Sequence, residues 1–115
     1  MLSNIYRFHG HGSLRYVYKN GQAVRSHFVT VKYVSNPHRK QSRFAVVVSK
    51  KVLKSAVGRN RVRRRIYETI RHELPEFAGV SDVVVIVFSA ELATMPSEEL
   101  TATLRQLFET AGLYK

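Results

Sequence analysis

The spacing of apolar and polar residues divides the first half of the chain into a short helix and two strands. The helix is predicted from an N-cap at Ser13 to a stop at Asn20 and Gly21. The segments FVTVKY at residues 28–33 and FAVVVS at residues 44–49 have the composition of strands. Because the intervening SNPHRKQ is rich in turn-forming residues, the two strands are predicted to pair as a hairpin.

The second half of the chain predicts a helix, a strand and a closing helix. Apolar residues spaced four apart define one stripe of the first helix, which Pro75 ends: Val62, Ile66, Ile70 and Leu74. The unbroken apolar run VVVIVF at residues 83–88 predicts a strand that is covered on both faces. The closing helix has Ser97 or Thr94 as its cap, Gly112 after its end, and an apolar stripe of Leu100, Leu104, Leu107, Phe108 and Ala111.

The order of these elements is helix, strand, strand, helix, strand, helix. One small sheet with helices packed on it is the simplest arrangement, so the fold class is predicted to be α+β, a small single-domain sandwich. With 115 residues and 44% hydrophobic residues, the chain is large enough for one core. Residues 1–11 are predicted to be a flexible N-terminal arm, and residues 12–115 a single domain.

The charge of the chain is strongly positive and unevenly distributed. The net charge is +11, and residues 1–67 contain sixteen Lys/Arg and no Asp/Glu. Residues 50–65 read KKVLKSAVGRNRVRRR, with eight basic residues. On a helical wheel, Arg61, Arg64 and Arg65 lie opposite the apolar stripe, so the predicted helix has a cationic face. An ordered cationic face indicates a nucleic-acid partner.

Other classes of protein have little support in the sequence. No run approaches the roughly 20 apolar residues of a membrane-spanning helix, and the first residues lack the apolar core of a signal peptide. The absence of cysteine excludes disulfides and is consistent with a cytoplasmic protein. His9 and His11 have no carboxylate or cysteine nearby in sequence, so we predict no metal site. No catalytic set of nucleophile, base and acid is apparent, and none is predicted.

The segment RNRVRRRIYE at residues 59–68, together with VVVSKK at residues 46–51, resembles the signature of the protein component of bacterial ribonuclease P. In that signature a Lys-Lys at a strand end is followed by Arg-Asn-x-x-Lys/Arg-Arg-x-x-Arg-Glu at the start of a helix. The resemblance extends to the element order and to the apolar strand after Asp82, and it covers about residues 12–112. It implies a left-handed strand-helix-strand crossover, although about 98% of such crossovers in proteins are right-handed.

The resemblance also implies a function. The chain would be a subunit of a ribonucleoprotein endonuclease whose RNA cleaves precursor tRNA at the 5′ end of the mature sequence. The RNA would use its own Mg²⁺, and the protein would be inactive alone, bind no cofactor, and associate 1:1 with the RNA in the cytoplasm, without contacting membrane. The implied RNA-binding residues are Lys50, Lys51, Arg59, Asn60, Arg61, Arg63, Arg64 and Arg65, and the implied binding residues for the 5′ leader of precursor tRNA are Leu14, Tyr18 and Tyr33.

The chain departs from the family pattern at three places, the third being a strand aromatic that falls near Val31, with Tyr33 as the nearest substitute on the same face. Tyr67 replaces the last arginine of the signature, and Leu14 with Tyr18 replaces a pair of aromatic residues in the first helix. Tyr18 is therefore either a stacking platform for a base or a core residue. The strand face with Val31 and Tyr33 is likewise either part of a leader cleft or core.

Two other functions remain open at this point. The first is a general nucleic-acid-binding module with no ribozyme partner, for example one that places the basic helix in a major groove of DNA. The second is a stand-alone ribonuclease. The acidic residues all lie in the less basic half of the chain, residues 68–115, which argues against an autonomous nuclease.

Overall fold

The computed structural model describes residues 2–8 and 11–115 and contains three α-helices and four strands within them. In chain order these are α1 (His11–Asn20), β1 (Gln22–Arg25), β2 (Val29–Ser35), β3 (Arg43–Val48), α2 (Ala56–Glu73), β4 (Ser81–Val87) and α3 (Ser97–Thr110). The α+β class and every predicted element are confirmed, and β1 is an additional strand. Strand β1 has only four residues, and Val24 is its one half-buried apolar side chain, so the strand is too short to show an alternating pattern.

The sheet has the strand order β1-β2-β4-β3. The first two pairings are antiparallel, whereas β3 and β4 are parallel. The predicted hairpin of residues 28–33 with residues 44–49 is therefore wrong, because β4 lies between these strands. The hairpin instead joins β1 to β2, and the Ser26 hydroxyl accepts hydrogen bonds from the backbone N–H groups of Phe28 and Val29, both at 3.2 Å.

One face of the sheet is covered by the main core, and the other face is covered only in part, so the prediction that β4 is buried on both sides holds at Val84. On one face α2 and α3 enclose the main core, which includes Val83, Val85 and Val87. Val84 points to the opposite face by strand alternation and is fully buried, as is Val17 of α1. Helix α1 thus covers part of the second face and leaves the rest of it open.

Helix α2 links the parallel strands β3 and β4 and presents its predicted apolar stripe to the core. The Ser55 hydroxyl caps its start by accepting a hydrogen bond from the Gly58 N–H at 3.2 Å. Val62, Ile66 and Ile70 are fully buried. The fourth predicted member, Leu74, is only half-buried because the α-helix ends at Glu73 and a 3-10 turn with Pro75 follows. The left-handedness of the β3-α2-β4 crossover stays a prediction.

The ends of the other helices correct several expected caps. Helix α1 begins at His11, so Ser13 lies inside its first turn and is not the N-cap. Helix α3 begins after Pro96 without a side-chain cap, so neither Ser97 nor Thr94 caps it. Its end is confirmed, because Gly112 has φ of 75° and the Leu113 N–H returns to the Phe108 carbonyl at 3.0 Å.

The described N-terminal residues pack against the domain. Leu2 is 3% exposed and belongs to the main core, and Arg7 forms a parallel bridge with Phe44 of β3. The Phe8 N–H donates to the Phe44 carbonyl at 3.2 Å. Residues 2–8 therefore cover the outer edge of β3, and the predicted flexibility of the arm stays a prediction. Residues 1, 9 and 10 of that arm lie outside the described residues.

Candidate nucleic-acid interface

The exposed side of α2 presents arginines that have no partner in the part of the chain that the structure describes. Arg61 and Arg64 are both exposed, and neither forms a hydrogen bond or ion pair with a described residue. They lie away from the buried stripe, as the helical wheel predicted. No acidic residue occurs in α2 before Glu68. These guanidinium groups are therefore available to a ligand, and their positive charge is not balanced within the first three turns.

Two of the predicted RNA-binding arginines instead hold the backbone in place. The Nη1 of Arg59 donates to the carbonyl oxygens of Leu53 and Lys54 at 2.9 and 2.8 Å, so Arg59 braces the loop before α2. Arg65 donates through Nη1 and Nη2 to the carbonyl oxygens of Leu92 and Met95. It therefore fixes the segment between β4 and α3, and its predicted role as an RNA contact has no support in this geometry.

The hydrogen bonds of Arg65 to the Leu92 and Met95 carbonyl oxygens are expected to stabilise the fold. Arg65→Ala should lower the free energy of unfolding by about 2 to 3 kcal/mol, because it removes charged hydrogen bonds and leaves two carbonyl groups without donors. Urea unfolding followed by circular dichroism measures the change. Arg64→Ala is the matched control, since its exposed side chain should change stability by less than about 0.5 kcal/mol. Equal stability of the two variants would contradict the structural role.

The remaining predicted RNA-binding residues lie near the free arginines along the chain. Arg63 is half-buried, and its Nη1 donates to the Asn60 side-chain oxygen at 2.8 Å, which orients both groups. Lys50 and Lys51 are exposed in the turn that follows β3. Both lysines precede α2 by only a few residues, so the structure places positive charge at the strand end and along the helix.

The acidic residue closest to this face is itself paired. Glu68 Oε1 accepts a hydrogen bond from Arg71 Nη2 at 2.5 Å. This bond is the main reason that the pKa of Glu68 is lowered to about 2. The carboxylate is thus ionised at neutral pH and shares its charge with Arg71, one turn beyond the free arginines.

A second candidate region lies between α1 and the open part of the sheet. Tyr18 is 37% exposed, and Lys32 Nζ lies 5.3 Å from its ring centroid. Partial burial raises the pKa of Tyr18. Leu14 is half-buried one turn earlier on the same helix. A ring with a neighbouring ammonium group suits an unstacked base and its phosphate.

Tyr33 does not belong to that region, which corrects its grouping with Leu14 and Tyr18. Its ring packs against the main core, and its hydroxyl hydrogen bonds to Gln22 Oε1 at 3.1 Å. The neighbouring Lys32 faces α1, so strand alternation turns Tyr33 to the opposite face of the sheet. Sequence reasoning also missed Phe88, an aromatic residue directly after β4 that is 59% exposed.

Tyr67, which replaces an arginine of the family signature, is also structural. The Val46 N–H at the outer edge of β3 donates to its hydroxyl at 3.2 Å. The guanidinium carbon of Arg7 lies 4.6 Å from the ring centroid. Tyr67 therefore packs against the sheet edge, and the N-terminal segment brings a different arginine to this position.

Neither a metal centre nor a membrane segment emerges from the part of the chain that is described. Within residues 2–8 and 11–115, no three His, Asp or Glu side chains are grouped so that they could hold a metal ion. His9, considered above as a ligand, lies outside these residues. No helix among them is long and apolar enough to cross a bilayer.

Comparisons with known proteins agree with the fold and the basic helix. A family model described as Ribonuclease P matches residues 2–112. The ribonuclease P protein component of Clostridium kluyveri is 34% identical over 114 residues, which cover 97% of this chain and 99% of that protein. The component from Synechocystis sp. is 34% identical over 97 residues, covering 84% and 77%.

Solved structures support the same fold. The ribonuclease P protein of Staphylococcus aureus superposes with a TM-score of 0.84 at 24% identity, over 96% of this chain and 98% of that one. The protein from Thermotoga maritima gives a TM-score of 0.79 at 22% identity, over 90% and 96%. The fold and the helix together define a small basic α+β protein. The sequence matches go further: the chain belongs to the ribonuclease P protein family.

Proposed function

We propose that this protein is the subunit of a ribonuclease P ribonucleoprotein that binds the catalytic RNA through the exposed side of α2. The observation that supports this most directly is the pair of free arginines, Arg61 and Arg64, on a helix that matches the family signature. Arginine is suited to this task because its planar guanidinium can bind two phosphate oxygens at once. The proposal includes one protein per RNA and a cytoplasmic location.

Catalysis is assigned to the RNA, which would bind the Mg²⁺ ions, because buried carboxylates of the protein are engaged in structural pairs. Asp82 accepts hydrogen bonds from Arg43 at 3.0 and 2.9 Å. Glu73 accepts hydrogen bonds from Arg105 and Tyr114 at 3.0 and 2.7 Å. A carboxylate that acts as a general base or metal ligand must be able to reach the substrate or ion, and these two are occupied inside the fold.

The 5′ leader of precursor tRNA is proposed to pass between α1 and the open part of the sheet. Tyr18 would provide a stacking surface, and Lys32 would contact a neighbouring phosphate. Because Leu14 is not aromatic and Tyr33 faces the other side, this chain has fewer stacking rings here than the family pattern implies. Stacking of a leader base would therefore rely mainly on Tyr18 and contribute modestly to affinity.

This arrangement predicts a selective effect of Tyr18→Ala. Affinity of the holoenzyme for precursor tRNA should fall about fivefold, the low end of the value for one base-aromatic stack, while affinity for mature tRNA should not change. Tyr18→Phe should be nearly silent because stacking uses the ring. Tyr16→Ala is a matched control, since Tyr16 is an exposed tyrosine of the same helix. Equal losses on both substrates would mean that Tyr18 is a core residue.

A competition experiment distinguishes this function from that of a general nucleic-acid binder. A labelled bacterial ribonuclease P RNA is bound to the protein, and unlabelled competitors are added at equal nucleotide concentration in 0.15 M salt. The same ribonuclease P RNA should displace the label much better than double-stranded DNA or an unrelated structured RNA. Equal displacement by all three would favour the general module, because phosphate contacts alone are insensitive to sequence and fold.

A further inference from the structure

The N-terminal segment and α2 together form an open pocket, in which Arg7 from outside the family signature lies beside residues of the signature helix. Its volume is about 360 Å³, and its lining consists of Arg7, Asn60, Arg63, Arg64 and Tyr67. Three of these five residues are arginines, and none is acidic. Such a concentration of positive charge without a carboxylate is characteristic of a site for an anion.

Backbone pairing determines the position of Arg7 at this pocket. Arg7 bridges Phe44 at the outer edge of β3, and the buried side chain of Leu2 anchors the segment at its other end. The Arg7 guanidinium lies over the ring of Tyr67, which is itself fixed by its hydrogen bond to Val46. The guanidinium is therefore held in place before any ligand binds.

Arg7 also has a donor that nothing in the described structure satisfies. Among the described side chains, its Nε is buried and has no hydrogen-bond partner. Buried donors in folded proteins are nearly always paired, so an unpaired one requires an explanation. Packing over Tyr67 would explain why the Arg7 guanidinium lies on that ring. It does not explain why the Nε is unpaired or why two arginines of α2 line the same pocket.

We infer that this pocket binds a phosphate group of the RNA backbone and that Arg7 is one of its ligands. Arg7 then supplies, from outside α2, the positive charge that the family signature places at residue 67 and that Tyr67 lacks. Arg63, oriented by Asn60 at 2.8 Å, and Arg64 would complete the donors around the phosphate. The inference rests on the proposed function, because the phosphate is taken to belong to the catalytic RNA.

The test compares Arg7→Gln with Arg25→Gln, which removes the same charge from β1 at the opposite edge of the sheet. Binding to ribonuclease P RNA is measured between 0.05 and 0.4 M salt for each variant. Arg7→Gln should weaken binding roughly three- to tenfold at 0.15 M salt and lower the slope of log K against log salt by about 0.7 to 0.9. Arg25→Gln should retain the wild-type slope. A folded Arg7→Gln variant that retains the wild-type slope would overturn the inference.

A second variant covers the case in which Arg7→Gln fails to fold. Arg7→Lys keeps the positive charge but lacks Nε and the planar fork. It should reduce RNA affinity without changing the melting temperature, and wild-type affinity would contradict the role of the planar guanidinium fork. Inorganic phosphate at 10 mM is added in a separate titration; if it displaces no RNA from the wild type, the ligand is the RNA backbone. Strong displacement would instead indicate a site for free phosphate.

Failure of this inference can be distinguished from failure of the proposed function. If wild-type protein does not bind ribonuclease P RNA in preference to other nucleic acids, the proposed function fails. If it does bind selectively and the Arg7 variants match the wild type, only the assignment of Arg7 is wrong.

Discussion

Replacement of both Arg61 and Arg64 by alanine is expected to lower the slope of log K against log salt by about 1.4 to 1.8 for binding to ribonuclease P RNA. Each arginine is exposed and free of protein partners in the described chain, so each can displace condensed counterions from one phosphate. Affinity should fall at every salt concentration, most strongly at low salt. Equilibrium binding of the double variant between 0.05 and 0.4 M salt measures both quantities.

A matched control separates this local effect from a general loss of charge. Arg25→Ala together with Arg39→Ala removes two charges from exposed arginines outside α2. This control should change the slope by less than about 0.5. Both double variants should have wild-type melting temperatures because none of the four side chains belongs to the core. If the control changed the slope as much as the α2 variant, binding would depend on net charge and not on this helix face.

Asp82→Ala is expected to lower the free energy of unfolding by about 3 to 5 kcal/mol. The Asp82 carboxylate is buried at the second residue of β4 and is held by Arg43 and by the Asn36 side-chain amide at 3.0 Å. The variant leaves the Arg43 guanidinium, whose side chain is only 11% exposed, without its counterion. Urea unfolding measures the loss. The midpoint concentration of urea should fall, while the slope of the unfolding free energy against urea concentration should stay the same.

Glu98→Ala is the control for this prediction because Glu98 is an exposed acidic residue in the first turn of α3. Its removal should cost no more than about 1 kcal/mol, mainly through the helix dipole. A similarly small loss for Asp82→Ala would mean that water reaches Arg43 and replaces the ion pair.

Elements with strong periodicity were predictable from the sequence, whereas the pairing of strands was not. The stripe of α2 and the apolar run of β4 each reflect burial that is visible locally. The position of β3 depends on a long-range contact. Strand β4, which comes later in the chain, inserts between β2 and β3 and pairs with both of them. A turn-rich segment such as residues 35–41 gives no information about which strand lies next in space.

The candidate site was predictable as a cationic helix but not residue by residue. Wheel geometry separates exposed from buried positions, and Arg61 and Arg64 are where it predicts. It does not reveal that Arg65 bonds to carbonyl groups 27 and 30 residues later in the chain. A shift of one residue in a strand reverses its face, so the sequence alone does not show that Tyr33 lies on the side of the sheet opposite to Tyr18.

Nothing in the sequence around Arg7 indicates that its side chain lies beside α2. It lies in a segment whose composition resembles that of a loose arm, and only pairing with β3 brings it beside α2. Contacts between segments this far apart in sequence depend on the completed fold, so neither periodicity nor motif spacing identifies them.

The most direct test of the central claim is reconstitution of 5′ maturation. Purified protein, a bacterial ribonuclease P RNA and a precursor tRNA are combined at low Mg²⁺, and each component is also omitted in turn. Mature tRNA should accumulate when protein and catalytic RNA are both present, and the protein alone with Mg²⁺ should cleave nothing. Cleavage by the protein without the RNA, or no effect of the protein on cleavage by the RNA, would contradict the claim.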